Sequence, residues 1–468
     1  MQKVIIYNHE NGTNLGINLF LYCFRVVSIE IWKINENHTS PSLYIYNGQE
    51  NVNVEDKNKK YDMCGNYPEE IITNLDENDA SILFFSLFKI KEKSQCYYTD
   101  DAIFYRGKDI RESNSHLIAI GATSDSFKWT YMGPIDPVNT INLADKYYFE
   151  EEVVYTYAVD GDAFWKQDIS SITIGTGAKL FGYGAFSYAR EISELLFKEG
   201  KRIFHGGVSP THRTKITLDS IEDWCNSVFD GDFGYQKNII LINPSIKVKE
   251  ENGTEKYILT IPTGTTRINS RAFRGMKIDE AIIPDTVTSI GNSFSGLEKI
   301  TVSPKTEVGY FSVDTLIIPS TSNFSGDGKE LGNLCKLNPK NLEIYGKGTL
   351  SPIGTKNTSN EKHLNVDWNR LQKITIDKQI EASGNLFSQC SNISSLVIPY
   401  SLKSFLPGQN VTELVIVDDC HFTVNDANYF PILEEITIQG VASFGDFAFT
   451  GKSIQSVTVH GNTITFGN

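Results

Sequence analysis

Short apolar segments, each followed by a turn, recur along the last two thirds of the chain. In a β-strand alternate side chains point to opposite faces, so each segment predicts a short strand with two core residues around one outward residue. Four intervals between the last apolar residues, 261 to 283, 376 to 398, 416 to 438 and 438 to 459, span 22, 22, 22 and 21 residues. The twelve segments are 172–174, 216–218, 259–261, 282–283, 300–302, 316–318, 342–344, 374–376, 396–398, 414–416, 436–438 and 457–459.

The residues downstream of these segments also repeat. A Pro that ends the strand follows at 262, 284, 319 and 399, because it lacks an N–H for the ladder. A second apolar residue comes next, and then a Phe that plugs the unit. We expect five plugs to be buried: Phe186, Phe273, Phe294, Phe387 and Phe449. We expect the same of six strand residues: Ile174, Ile261, Ile283, Ile376, Ile398 and Ile438.

Such a unit cannot bury its own apolar face, whereas stacked copies share one core. The pattern therefore predicts a solenoid with a parallel sheet, and a coil of about 22 residues is of leucine-rich-repeat length.

Several segments resemble the BspA-type leucine-rich repeat. They are "ITIGTGAKLFGYGAFSYAREI", "LTIPTGTTRINSRAFRGM" and "ITIDKQIEASGNLFSQCSNISSLVIP", where Cys390 follows Phe387 by three residues as in that family. In addition, "ITLDSIEDWCNSVFDGDFGYQKNIILIN" is similar to the Ser-x-x-x-Trp-Cys insert of some members. The resemblance covers 166–468, with insertions expected at about 207–256 and 320–372.

Residues 1–165 lack this pattern. They contain strand-like runs between polar turns, and we interpret them as a separate β-rich domain, a sandwich or an attachment domain. The fold class expected is mainly β, a β-rich N-terminal domain followed by an irregular leucine-rich-repeat solenoid. The segment "EISELLFKEGKRIF" predicts one short helix. The runs interpreted as strands are "LYIYNG", "SILFFSLFKI", "AIFYR", "LIAIGA" and "EEVVYTYAVDG".

Charge and cysteine usage exclude several classes of protein. The formal charge of −14 repels polyanions, so nucleic acid is not an expected partner. The seven cysteines form no Cys-x-x-Cys pair, which favours free thiols over a zinc site. No segment has the roughly 18 apolar residues of a membrane span. The first residues, "MQKVIIYNHENG", do not resemble a signal peptide.

Catalytic motifs are incomplete wherever they occur. "DGDFG" at 230–234 lacks the other kinase motifs, and "HGG" at 205–207 lacks a Gly-x-Ser-x-Gly nucleophile. No pair of histidines has zinc-ligand spacing. We therefore predict a protein that is not an enzyme and uses no cofactor or metal. An enzyme domain within 1–165 stays an alternative.

The outward residue of seven strands is Thr, and stacked coils would place these threonines in a row about 4.8 Å apart. Thr also suits any exposed strand, so the row has a purely structural interpretation as well. Aromatic residues in irregular segments, Trp224, Tyr235, Tyr345 and Trp368, are expected to be exposed and to contribute more binding energy. The alternative for each Trp, and for Trp224 above all, is that it packs inward as a local plug. The predicted binding residues are Thr173, Thr260, Thr301, Thr375, Thr437, Tyr345 and Trp368.

The resemblance implies surface recognition or adhesion, with a protein or glycan on a cell surface as partner. The absence of a recognisable signal peptide favours a virion fibre or host-recognition protein, which would also contact other virion proteins. The alternative is a bacterial cell-surface adhesin with atypical export.

Overall fold

The computed structural model describes the backbone of 3–8, 28–33, 45–46, 51–52, 59–61 and 70–73. It further describes residues 96–106, 113–134, 138–149, 152–161, 163–164, 169–186, 192–206, 214–233, 239–325, 331–351, 368, 370–388 and 390–467. The chain divides into two compact units. Unit 1 comprises 1–219 and 227–233, and unit 2 comprises 220–226 and 234–468.

The first strands of unit 1 form two small sheets. Strands β1, β2 and β6 are parallel neighbours, β5 is antiparallel to β6, and β3 pairs with β4. The predicted run "SILFFSLFKI" lies outside the described residues. The strands are β1 (Lys3–Asn8), β2 (Ser28–Lys33), β3 (Ile45–Tyr46), β4 (Asn51–Val52), β5 (Lys59–Tyr61) and β6 (Glu70–Thr73).

Unit 1 continues with thirteen further strands and helix α1 (Asn114–Ala119). They are β7 (Cys96–Tyr98), β8 (Ala102–Arg106), β9 (Trp129–Pro134), β10 (Thr140–Leu143), β11 (Tyr147–Phe149), β12 (Glu152–Val154), β13 (Tyr157–Val159), β14 (Ser171–Ile174), β15 (Ala178–Phe181), β16 (Glu194–Phe197), β17 (Ile203–Phe204), β18 (Lys215–Leu218) and β19 (Val228–Phe229).

Two parallel ladders give unit 1 its coils. Strands β10, β14, β16 and β18 pair in that order, while β9, β13, β15, β17 and β19 form the second ladder. Each coil contributes one strand to each ladder. Antiparallel β7 and β8 extend the second ladder beyond β9. Coil-type pairing therefore starts before residue 166, in β10 and β13.

Two local predictions in this unit are wrong. The run "LIAIGA" begins inside α1, because the Ser113 side chain accepts the His116 N–H and caps that helix. The segment expected to be a helix from residue 191 forms strands β16 and β17 instead. Its Glu and Leu residues favour helix locally, but the ladders on both sides supply strand partners, so tertiary contacts override the propensity.

Unit 2 contains two short helices, α2 (Ile221–Cys225) and α3 (Val424–Tyr429), and most of the strands. The strands are β20 (Ile240–Ile242), β21 (Ile246–Glu251), β22 (Thr254–Thr260), β23 (Arg267–Ile268), β24 (Glu280–Ile282), β25 (Ser289–Ile290), β26 (Leu297–Thr301), β27 (Glu307–Val308), β28 (Val313–Ile318), β29 (Asn323–Ser325), β30 (Asn341–Ile344), β31 (Lys347–Leu350), β32 (Lys373–Ile376), β33 (Ile380–Ala382), β34 (Ser395–Ile398), β35 (Glu413–Ile416), β36 (Cys420–Phe422), β37 (Glu435–Ile438), β38 (Ala442–Phe444), β39 (Ser456–Val459) and β40 (Ile464–Phe466).

An eleven-stranded sheet dominates unit 2, in the order β21-β22-β24-β26-β28-β30-β32-β34-β35-β37-β39. From β22 onward every pair is parallel and each strand starts a new coil. β21 joins β22 in an antiparallel hairpin through Asn252 and Gly253, whose positive φ values of 50° and 75° are those of a type I′ turn. The predicted parallel sheet is confirmed.

The predicted core is confirmed except at one position. All six isoleucines are at most 2% exposed, and the first four of the predicted Phe plugs are buried as well. Phe449 is only half-buried. Its ring contacts Phe422 and Phe444, whereas the following strand β40 is exposed along its whole length and does not enclose it.

Candidate functional site

The outward face of the eleven-stranded sheet is the candidate binding surface, and two rows of side chains form it. The strand register aligns one residue from each of ten parallel strands in each row. The middle row consists of Thr260, Ile282, Thr301, Ile317, Glu343, Thr375, Val397, Val415, Thr437 and Thr458. The first row, two residues earlier, consists of Ile258, Glu280, Lys299, Thr315, Asn341, Lys373, Ser395, Glu413, Glu435 and Ser456.

The alternation of burial along each strand places these rows on the outside. In β32, for example, Ile374 and Ile376 are at most 1% exposed, while Lys373 and Thr375 are half-buried. Most of the middle row is half-buried, since neighbours about 4.8 Å away on both sides cover part of each side chain. Ile282 and Thr458 are the exposed members. The middle row of the face is mostly β-branched and partly apolar.

The prediction that the threonines form a row of adjacent residues is wrong. Thr260, Thr301, Thr375 and Thr437 do lie in the middle row, but aliphatic residues and Glu343 separate them. Thr437 and Thr458 are the one adjacent pair of threonines in this row. Four other positions of the row carry Ile or Val, because any β-branched residue suits a half-buried place on a sheet.

Thr173 belongs to a different sheet. It lies in unit 1, in an outward row with Asn142, Leu196 and Thr217. The sequence pattern placed it with the other threonines because the coil motif is the same in both units. The structure therefore brings together four of the five predicted threonines.

The predicted aromatic residues divide into one on the face and two in the interior. Tyr345 directly follows β30 and is half-buried; its hydroxyl donates to Glu343 Oε2 at 3.0 Å. Burial, with the carboxylate beside it, raises the pKa of Tyr345 to about 12. Tyr345 therefore extends the middle row at its Glu343 position. Tyr235 lies outside the described residues.

The expectation that both tryptophans are exposed is wrong. Trp368 is 7% exposed and meets the Phe387 ring edge to face at 5.7 Å. Trp224 is 2% exposed, and its Nε1 donates to the Ala272 carbonyl at 2.7 Å. An indole in an irregular segment suits a plug as well as a surface, since it is large and apolar with one polar atom to satisfy.

The first row adds charges that the sequence reasoning missed. Lys299 Nζ lies 3.8 Å from Glu280 Oε1, and the Ser395 hydroxyl donates to Glu413 Oε2 at 2.6 Å. Just before the strands, Lys340 Nζ and Arg370 Nη2 each lie 3.2 Å from Asp314 Oδ1. In the sequence, Glu or Lys recurs two residues before the outward Thr. This spacing could have identified the charged residues of the first row.

The cysteines that could carry chemistry are enclosed. Four cysteines, Cys225, Cys335, Cys390 and Cys420, are free and buried. Burial raises the pKa of the Cys225 thiol far above its usual range, which suppresses the thiolate. In the part of the chain that the structure describes, no three His, Cys, Asp or Glu side chains converge as metal ligands. No helix among the described residues is long and apolar enough to cross a membrane.

A stack of parallel-strand coils sharing one core, with short irregular segments on the opposite side, defines a leucine-rich-repeat solenoid. Residues 252–312 and 362–425 match the family model of the BspA type leucine rich repeat region, with six copies. These two segments therefore carry BspA-type leucine-rich repeats. No curated protein matches the sequence.

Three solved structures of leucine-rich-repeat proteins are similar to this chain. A leucine rich cell surface protein from Faecalibacterium prausnitzii A2-165 is 12% identical, covering 80% of this chain and 95% of its own, with a TM-score of 0.26. A leucine-rich repeat protein from Bacteroides ovatus ATCC 8483 is 13% identical, covering 79% and 90%, with a TM-score of 0.24. One from Eubacterium ventriosum ATCC 27560 is 16% identical, covering 67% and 88%, with a TM-score of 0.18.

Proposed function

We propose that this chain is a non-enzymatic recognition protein that binds a protein surface through the outward face of the eleven-stranded sheet in unit 2. One observation carries the proposal. Ten successive strands present an unbroken middle row of mostly β-branched side chains, flanked by a charged first row. In solenoids, extended faces of this kind are the binding surfaces.

The chemistry of the face favours a protein over a glycan. Protein interfaces combine partly apolar area with a polar rim, and the middle and first rows supply these two components. Of the aromatic residues predicted to bind, Tyr345 is the one that lies beside this face. Its hydroxyl donates a hydrogen bond to Glu343.

Adhesion at a surface is the role that fits a repeat protein of this type. The two placements predicted from the sequence, a cell surface and a virion, are alternatives that immunogold labelling of whole cells and of purified particles distinguishes. No contact among the described residues of 96–164 favours the third alternative, an enzyme domain within 1–165.

The test uses labelled full-length chain on an array of purified secreted and surface proteins, which includes the chain itself, beside printed glycans. The double variant Val397→Lys/Val415→Lys places two cations in the middle row. Val248→Lys is the matched control, because Val248 is 54% exposed on the hairpin strand β21. We expect the double variant to lower binding at least about tenfold and the control to leave it unchanged.

Two results would contradict the proposal. The first is equal binding by the double variant and the wild-type chain, which would place recognition elsewhere. The second is binding to glycans alone that depends on the middle row, which would make the partner a carbohydrate.

A further inference from the structure

The strand starts on the outward face of unit 2 carry opposite charges on two neighbouring pairs of strands. Cations lie at β30 and β32, where Lys340 precedes the first strand and Lys373 begins the second. Carboxylates lie at β35 and β37, which begin with Glu413 and Glu435. Strand β34 separates the two pairs and begins with the neutral Ser395.

On each pair of strands, neighbouring groups among the described residues compensate only part of the charge. Lys340 and Arg370 share the carboxylate of Asp314, and Glu343 lies on the same pair of strands, so these two cations together with Lys373 leave a surplus of one positive charge. Glu413 accepts a hydrogen bond from the neutral Ser395 hydroxyl. The basic pair stands out because the whole chain carries a formal charge of −14.

We propose that this face binds the same face of a second copy of the chain, about a two-fold axis that runs parallel to the strands through β34. The proposal rests on the proposed function and names its protein partner. Rotation about such an axis keeps the strand direction and reverses the strand order. Strand β32 then lies over β35 of the second copy, and β30 lies over β37, as an isologous interface requires.

This arrangement pairs each cation with a carboxylate. Lys373 faces Glu413 of the second copy, and Lys340 comes one residue before Asn341, the position that faces Glu435. Because the interface is symmetric, each contact occurs twice. An overlap that places β32 over β32 would instead bring Lys373 against its own copy, and such like-charge contact is disfavoured.

Near the axis the middle row supplies neutral side chains, whereas Glu343 on β30 faces Thr437 of the second copy. Val397 lies on the axis and meets its own copy, and Thr375 meets Val415 of the second copy. These half-buried side chains lose water on contact without burying an uncompensated charge. The charges stay at the strand starts, where the rim of the interface would be.

The size of the interface predicts weak association. Five strands about 4.8 Å apart and four residues at about 3.3 Å each cover a plane on the order of 300 Å². Contacts well below about 1,200 Å² are transient. Self-recognition through this face therefore depends on salt, and becomes strong where two surfaces that each carry many copies meet.

The test is sedimentation velocity of the full-length chain over a concentration series at about 0.05 M and about 0.5 M salt. We expect a monomer–dimer equilibrium that weakens at the higher salt. The acidic variant is Lys340→Glu/Lys373→Glu, and the basic variant is Glu413→Lys/Glu435→Lys. Each alone should dimerise at least about tenfold more weakly, and an equimolar mixture of the two should form a heterodimer.

The matched control is Lys247→Glu/Lys249→Glu, which makes the same change in net charge at exposed positions of β21 and should keep the dimer. Should a reversal variant fail to melt cooperatively, Lys373→Gln and Glu413→Gln replace it and are expected to weaken the dimer.

The proposal is overturned if the wild-type chain is monomeric throughout, if two folded variants stay monomeric when mixed, or if the control also loses the dimer. A monomeric wild-type chain whose binding to other arrayed proteins depends on Val397 and Val415 would overturn the self-recognition alone. Suppose instead that the chain forms a salt-sensitive dimer but its binding to other arrayed proteins does not depend on those two valines. That result would contradict the recognition face of the proposed function.

Discussion

Unit 1 and unit 2 build the same coil from different side chains. In unit 1 the second ladder stacks Phe rings: Phe204 lies 5.1 Å from Phe181 and 5.2 Å from Phe229, nearly parallel to both. In unit 2 the corresponding short strands β23, β25 and β27 align the aliphatic residues Ile268, Ile290 and Val308. The position of a residue in the coil decides whether it is buried, and several kinds of residue can occupy it. A coil therefore forms without the repeated letters that make it visible in a sequence.

The outward rows differ more than the cores do. In unit 1 the outward row spans four strands, from Asn142 through Thr173 to Thr217, and the charges beside it pair directly, as Glu194 does with Lys215 at 3.9 Å. In unit 2 it spans ten strands, and the charges at the starts of β30, β32, β35 and β37 separate by sign. Length and charge separation are what make the unit 2 face a candidate for recognition.

The largest effect is expected in the aromatic core of unit 1. Phe204 is fully buried between two stacked rings, so Phe204→Ala removes both contacts and leaves a cavity. We expect a loss of about 3–5 kcal/mol in the free energy of unfolding. Urea unfolding with hydrogen exchange resolved to unit 1 measures it. Tyr183→Ala, at an 82% exposed position, should change less than about 0.5 kcal/mol. A loss below about 1 kcal/mol for Phe204→Ala would refute the stack.

The buried Phe residues of unit 2 provide the matching test. Phe273 is 1% exposed and stacks on Phe294 at 5.3 Å, so Phe273→Ala should also cost about 3–5 kcal/mol. Phe449→Ala, at the half-buried plug, should cost about half as much or less, since less of its ring leaves water on folding. Equal losses at the two positions would mean that Phe449 is enclosed.

A third difference between the units is a buried cation in unit 1. Arg202 is 2% exposed and donates to the carbonyls of Ala178 at 3.1 Å, Gly200 at 2.6 Å and Gly175 at 3.2 Å. Arg202→Met keeps the apolar stem and leaves buried carbonyls unpaired, at about 1–3 kcal/mol for each such group. We expect thermal melting to show a loss of about 3 kcal/mol. A variant as stable as wild type would mean that water replaces the guanidinium.

The smallest effect concerns the hydroxyl on the unit 2 face. The folded protein holds the pKa of Tyr345 at about 12, above the ordinary value of 10.0, so folding favours the protonated phenol. Stability from this group is fully present below the ordinary value and is lost as pH rises through the folded one. Tyr345→Phe should therefore lose less stability than wild type over that alkaline range. Identical alkaline unfolding curves would contradict the contact with Glu343.

The strand positions of the solenoid could be predicted because inward residues recur with a fixed spacing. Strand β16 was missed, since "ELLF" carries helix-favouring residues and only the strands beside it reveal its conformation. Strand β10 was missed as well, because Ile141 and Leu143 alternate in a segment without the Pro or the plug that mark later coils.

The sequence predicts which side of the sheet the candidate face lies on, but it predicts only some of the residues that form the face. That the middle residue of each strand points outward follows from the geometry of a strand, and Thr375 shows it. The neighbours of each residue depend on the register between coils of unequal length, which periodicity does not supply. The charges at Lys373 and Glu413 acquire significance only when that register places them on either side of β34.

The most direct measurement of the central claim, that the outward face of unit 2 is a protein-binding surface occupied by a second copy, is cross-linking at the axis. Val397→Cys puts a thiol opposite its own copy in the proposed dimer, whereas Val248→Cys puts one on the hairpin strand β21, away from the axis. Under mild oxidation at low salt, the full-length Val397→Cys chain should form a covalent dimer, and high salt should suppress it. Equal cross-linking of the two variants, or none at Val397→Cys, would contradict the account.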